Sequence, residues 1–235
     1  MRNHPHDART NRLGEPGVGA PPRPVTQNPA KLAATTLVQA SRSLDFWLLF
    51  ISFYVCGLST SGLIGTHFIP LCLDHGIPEV QSASLLAVIG AFDFVGTLAS
   101  GWLSDRYSSR VLLFWYYGLR GLSLMFLPYA FEGSFLGLSL FAVFYGLDWV
   151  ATVPPTVRLT ADVFGREKSG MVFGWIFAGH QLGGAMAAFG AGAIRTGLGS
   201  YLLAFLIAGA FCLLAAVMVL GIGRRVARPV AAIAE

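Results

Sequence analysis

Apolar residues fill six long runs, Phe46 to Leu71, Val80 to Leu103, Val111 to Ala130, Phe135 to Val157, Gly170 to Ile194 and Tyr201 to Gly223, and most charges fall in the segments between and around them. A helix rises about 1.5 Å per residue, so about 20 apolar residues cross a hydrocarbon core about 30 Å thick. The pattern predicts an all-α integral membrane protein with six transmembrane helices over residues 45–225. Residues 1–44 and 226–235 flank it as cytosolic tails.

Basic residues accumulate on the cytoplasmic flanks of membrane helices. Arg2, Arg9, Arg12, Arg23, Lys31 and Arg42 precede the first run. Arg106 and Arg110, then Arg158, Arg166 and Lys168, then Arg224, Arg225 and Arg228 fall on alternate connections. The other connections carry Asp74, His75, Glu79 and Glu132, with Arg195 as their single basic residue. Both termini are therefore expected in the cytoplasm, the bacterial-type assignment being the cell (inner) membrane.

Composition narrows the classes. The chain is 54% hydrophobic and 12% charged, with a mean hydropathy of +0.63, against about 25% charged for a soluble domain. The net charge of +4 is scattered over membrane flanks, which excludes a nucleic-acid footprint. Cys56, Cys72 and Cys212 have no disulfide or metal spacing and read as packing residues. No cofactor motif is present, and the missing G-x-x-x-x-G-K-[ST] loop argues against ATP-driven work. The proline-rich start is expected to be disordered, with a short helix or an inert linker between Asn28 and Asp45.

The expected partners are the bilayer and a small solute, because four ionisable residues fall inside the runs. Asp93 precedes Asp105 by twelve residues and Arg120 follows Arg110 by ten, which puts both about 15–18 Å deep. Charges cost about 2.5–3.5 kcal/mol at a helix centre and need partners or water. Placed symmetrically about one hairpin turn, Asp93 and Arg120 are expected to pair, either structurally or along a transport path. Asp148 and His180, with Gln181 beside it, reach a similar depth. Asp148 alternatively serves the helix broken near Pro154 and Pro155, and His180 with Gln181 a neighbouring helix. In the fifth run Gly170/Gly174 and Gly179/Gly183 have the small-xxx-small spacing that lets helices approach closely, for static packing or for sliding.

The segment Gly101-Trp102-Leu103-Ser104-Asp105-Arg106-Tyr107-Ser108-Ser109-Arg110-Val111-Leu112-Leu113 resembles the loop motif G-x-L-a-D-R-x-G-R-[KR]-x-x-L of the major facilitator superfamily. Ser108 and Ser109 depart from it. Phe164 to Gly192 and Gly199 to Phe205 are similar to the last two spans of monocarboxylate and oxalate-formate carriers. The resemblance implies the second six-span half of a facilitator, built as two inverted three-helix repeats, with the proline-rich tail resembling the central loop. It implies a secondary transporter working by alternating access, organic anions as substrate, and a need for a second six-span half or self-association. It also implies a cytoplasmic gating loop at Gly101, Asp105, Arg106 and Arg110, where Asp105 is expected to cap the first turn of the third span. These carriers often have an Arg four residues after the Asp that corresponds to Asp93; Thr97 stands there instead. The alternatives are a noncatalytic membrane subunit or an inactive truncated half. An intramembrane serine protease is disfavoured because Ser59-Thr60-Ser61-Gly62 lacks G-x-S-G, so no enzymatic activity is expected.

Overall fold

The computed structural model describes residues 28–133 and 135–223; the tail over 1–27 and the segment 226–235 lie outside the described residues. The chain divides into two units, 1–34 and 35–235. Helix α1, Pro29–Ala40, begins in the first, where Asn28 Oδ1 accepts the Ala30 N–H at 3.0 Å as its cap. All regular elements among the described residues are helical.

The first apolar run is one continuous helical path in three pieces. Ser43 caps α2, Leu44–Gly57, a π-helical segment covers Leu58–Ile64, and α3 covers Gly65–Asp74. The widening has a local cause. Ser59 Oγ donates to the carbonyls of Val55 and Cys56 at 2.9 and 3.0 Å, and Thr60 Oγ1 to Cys56 at 2.7 Å. Such back-bonding competes with the main-chain ladder. Pro70 inside α3 removes one further donor.

Helix α4 runs Glu79–Ser104 and α5 Ser109–Gly133. The fourth run is divided into α6, Phe135–Asp148, and α7, Val153–Phe164, with Pro154 and Pro155 in the first turn of α7. Gly165, at φ +81°, turns the chain into α8, Arg166–Leu198, and α9 covers Leu202–Val219. Among the described residues five helical stretches, Leu44–Asp74, Glu79–Ser104, Ser109–Phe131, Leu136–Phe164 and Leu202–Val219, are long and apolar enough to cross a membrane. The 33-residue α8 is long enough, but its glycines with His180 and Gln181 dilute its apolar character.

The most extensive pairings are α5 with α9, α2 and the π segment with α8, and α4 with α6. This scheme is unchanged when the first three runs are exchanged in order with the last three. Glycines set the close approaches. A Cβ on Gly57 would lie 1.8 Å from the His180 carbonyl oxygen, and one on Gly183 would lie 2.0 Å from that of Tyr54. Gly179 meets the Phe50 ring, whereas Gly170 and Gly174 face open space, so only the second small-xxx-small pair packs against a neighbour. The reason is rotational: at the start of α8 it is Val172 and Ile176 that are buried.

Candidate functional site

The end of α6 and the four-residue break before α7 leave a strap, Asp148 to Thr152, whose main-chain groups cannot all find helical partners. Pro154 and Pro155 have no N–H for the carbonyls of Val150 and Ala151. Val153 N–H bonds Val150 O at 2.9 Å, and Ser100 Oγ from α4 donates to Ala151 O at 2.5 Å. With Val153 diverted, the Trp149 carbonyl accepts from Arg120 Nη2 at 3.0 Å, and so does Asp148 O at 2.5 Å. On the other side, Trp149 N–H takes Gly146 O at 3.1 Å and Val150 N–H is left to Asp93 Oδ1 at 2.9 Å. Thr152 Oγ1 lies 3.3 Å from Cys56 Sγ. The strap is thus held by side chains from three other runs.

Arg120 is the centre of this arrangement. It is 1% exposed, and its Nε donates to Asp148 Oδ2 at 2.6 Å while Nη1 donates to Cys56 Sγ at 3.1 Å. A buried ion pair recovers its desolvation cost only when the remaining donors and acceptors are also met. Four of the five guanidinium N–H groups are directed at protein acceptors. Asp148, 8% exposed, keeps Oδ1 buried without a hydrogen-bond partner among the described residues.

The expected Asp93–Arg120 pair does not form. Asp93 Oδ1 instead accepts from Val150 N–H and from Thr97 Oγ1 at 3.2 Å. Although α4 and α5 share a short turn, α4 packs chiefly on α6 and α5 on α9. The two charged residues reach the strap from different helices, and Arg120 takes Asp148. His180 lies on the far side of Cys56: its ring stacks on Phe177 at 5.4 Å, tilts against Phe53 at 5.1 Å, and faces Gln181 Oε1 at 3.3 Å. His180 is half-buried and Gln181 exposed. Ser100 and Cys56, both read from sequence as packing positions or not singled out, belong to the site. Ser100 is two helical turns from Asp93, which puts both on one face of α4.

At the α4–α5 turn, Asp105 does not cap α5, in whose first turn Ser108 O accepts the N–H groups of Val111 and Leu112 at 3.0 and 3.1 Å. Its Oδ1 pairs with Arg158 Nη1 of α7 at 3.1 Å, and Arg158 also donates to Ser104 O. Arg106 covers the Trp102 ring at 4.0 Å and Gly101 has open space around it. Arg110 Nη1 donates to Ile222 O at 3.1 Å, while Gly223 N–H donates to Asp45 Oδ1 at 2.7 Å. Thus the end of α9 is tied to the starts of α5 and α2. At the opposite end, Arg195 makes a two-pronged pair with Asp74 at 2.7 and 2.5 Å, which sequence reasoning missed. The signal was Arg195 itself, the one basic residue among acidic neighbours. His67 bridges Tyr201 Oη at 3.1 Å and Ala188 O at 2.8 Å nearby.

Membrane-length helices with charged groups satisfied at a mid-span break define the class: a helical multi-pass membrane protein with an internal polar centre. Residues 5–188 match the Major Facilitator Superfamily. An uncharacterized MFS-type transporter, YcxA of Bacillus subtilis, is 30% identical over 175 residues, 73% of this chain and 42% of that protein. Monocarboxylate transporter 12-B of Danio rerio is 30% identical over 145 residues, 59% of this chain and 29% of its own length. Human monocarboxylate transporter 12 is 27% identical over 188 residues, 78% and 36% respectively. The chain belongs to the major facilitator superfamily, a family of membrane solute transporters, and is a multi-pass integral membrane protein. It spans less than half the length of these relatives.

Proposed function

We propose that the chain is a six-span facilitator half that moves a small organic anion by alternating access as a secondary transporter. The observation that carries this reading is the strap from Asp148 to Thr152, a helix break held by exchangeable side-chain bonds from three runs. Transporter sites favour such discontinuous helices, because irregular backbone within a membrane needs protein or water partners. The symmetric pairing scheme supports two inverted three-helix repeats, with α8 as the remaining span. Assembly with a second six-span half or with another copy belongs to the same reading. Both termini are assigned to the cytoplasm from the charge distribution, in a cell (inner) membrane.

In this reading Arg120 is a positioning residue that holds the strap, since its donors are committed to protein. The groups open to a solute are Asp93, His180 and Gln181. Asp148 Oδ1, buried without a donor, is the proton-accepting atom of the pathway. Asp105 and Arg158 form the cytoplasmic latch, with Gly101, Arg106 and Arg110 around it. Carboxylates are the substrate class carried over from the names of the relatives.

Uptake of labelled short carboxylates into proteoliposomes under an imposed pH gradient tests the reading. Gradient-stimulated uptake that falls on Asp148→Asn and Asp93→Asn supports it. Uptake indifferent to the gradient and to both changes refutes the proton pathway.

A further inference from the structure

The first span changes its winding at Leu58–Ile64, and a π turn is a rare conformation that persists where its surroundings hold it. Gly62 backs so closely onto α8 that a Cβ there would collide with the Gly184 carbonyl oxygen. On another side, Tyr145 Oη of α6 donates to Ser59 O at 2.8 Å. Both contacts depend on how the span is turned about its own axis.

Beyond the π segment, α3 packs chiefly on that segment and on α4, and touches α8 over less of its length. Its turn relative to α8 is set by two polar contacts. His67 Nε2–H donates to Ala188 O at 2.8 Å, since a carbonyl can only accept, and Nδ1 therefore accepts the Tyr201 hydroxyl at 3.1 Å. Asp74 accepts both prongs of Arg195, whose guanidinium also covers the Tyr201 ring at 5.6 Å. His67 and Asp74 are seven residues apart, and so are Ala188 and Arg195. Seven residues make two turns to within about 20° and advance about 10.5 Å on either helix. The two contacts thus stand one above the other on matching faces, and a turn of α3 that breaks one breaks the other. The planar, bidentate guanidinium–carboxylate pair adds direction to that constraint.

We propose that His67, Asp74, Arg195 and Tyr201 form a clamp that fixes the turn of α3 and thereby keeps residues 58–64 π-helical. Conversion of this segment to α-helix would turn α3 about the common axis relative to α2, and the clamp opposes that turn. The segment carries the Ser59 carbonyl held by Tyr145, three residues from Asp148, and begins two residues after Cys56, whose thiol meets Arg120. The clamp therefore acts on the polar centre from the far end of the bundle. Resting on the transporter reading, it makes Asp74 and Arg195 positioning residues for solute passage.

Cys72 is a built-in reporter, fully buried and about 140° around α3 from His67. Maleimide labelling of the full chain in mild detergent is followed at each native cysteine by peptide mass spectrometry. Cys72 should react at least fivefold faster in Asp74→Asn and Arg195→Gln, and faster in Tyr201→Phe, while Cys212 of α9 keeps its rate. Exchanging the pair, Asp74→Arg with Arg195→Asp, should return Cys72 to within twofold of the wild type. Asp105→Asn, which opens the pair at the other end, should leave Cys72 unchanged. Equal Cys72 rates in all variants, a parallel rise at Cys212, or no recovery in the exchanged pair overturns the clamp. Uptake of a labelled short carboxylate by proteoliposomes separates this proposal from the transporter reading. Where the wild type takes up solute, Asp74→Asn should slow uptake at least threefold and the exchanged pair should restore it; unchanged uptake overturns the positioning role. A wild type without uptake, beside a released Cys72 in Asp74→Asn, refutes the transporter reading and upholds the clamp.

Discussion

Removing the guanidinium of Arg120 is the most informative perturbation of the polar centre. Arg120→Gln takes away the cation facing Asp148 and leaves the carbonyls of Asp148 and Trp149 without donors. Breaking a buried ion pair from one side costs about 3–5 kcal/mol, and each hydrogen bond lost to a charged donor adds about 1.5–3 kcal/mol where no substitute reaches the site. The single variant is therefore expected to lose at least about 4 kcal/mol. Asp148→Asn, which keeps the shape and the carbonyl bonds, should lose about 3 kcal/mol. Combined, they should lose clearly less than the sum, with a coupling of about 1–3 kcal/mol. Cys56, Cys72 and Cys212 are free and buried, so a thiol-reactive fluorogenic dye reports unfolding of the protein in detergent. The matching cycle of Arg120→Gln with Asp93→Asn should show a weaker coupling, since the two residues share the strap but no bond. Additivity in the Arg120–Asp148 cycle, or strong coupling between Arg120 and Asp93, would refute this geometry.

Other expectations follow from single contacts. Gly183→Ala must part α8 from α2 and should cost more than about 2 kcal/mol, while Gly174→Ala, in open space, should raise helix stability by up to about 1 kcal/mol; parallel melting curves compare them. Ser100→Ala leaves Ala151 O unpaired beside the break and should cost about 1–3 kcal/mol, against little effect for Ser84→Ala at an exposed position of the same helix. Arg158→Gln should change melting little, because its partner Asp105 is exposed, yet slow solute uptake if the pair is the latch. In intact cells an impermeant maleimide should label a cysteine at His75 and spare one at Ser108 in a background without native cysteines; the reverse pattern would invert the assigned orientation.

Much of the fold follows from the hydrophobic pattern alone, since a bilayer imposes length and internal hydrogen bonding on every span. Pro154 and Pro155 marked the break, and helical rise predicted one layer for Asp93, Arg120, Asp148 and His180, of which the first three meet at the strap. What the pattern lacks is the neighbour of each helix. Consecutive spans need not be packed partners, so symmetry about the α4–α5 turn pointed Arg120 at Asp93 while the bundle gives it Asp148. The same gap misassigned Asp105, whose partner Arg158 is remote in sequence. Spacing made Gly170/Gly174 and Gly179/Gly183 equivalent, but only the face turned to α2 decides which pair packs. Cys56 looked like a small apolar residue because a thiol's role depends on the groups brought to it.

The central claim is carrier-mediated solute movement through a bundle whose broken span is held by Arg120. Its most direct test is uptake of a labelled short carboxylate by proteoliposomes containing the assembly as extracted from its membrane, with and without the same solute inside. The account predicts saturable uptake that is stimulated by internal solute and reduced at least tenfold by Arg120→Gln, in vesicles shown to hold the same amount of folded protein. Uptake no greater than in protein-free vesicles, or uptake unchanged by Arg120→Gln, would contradict it.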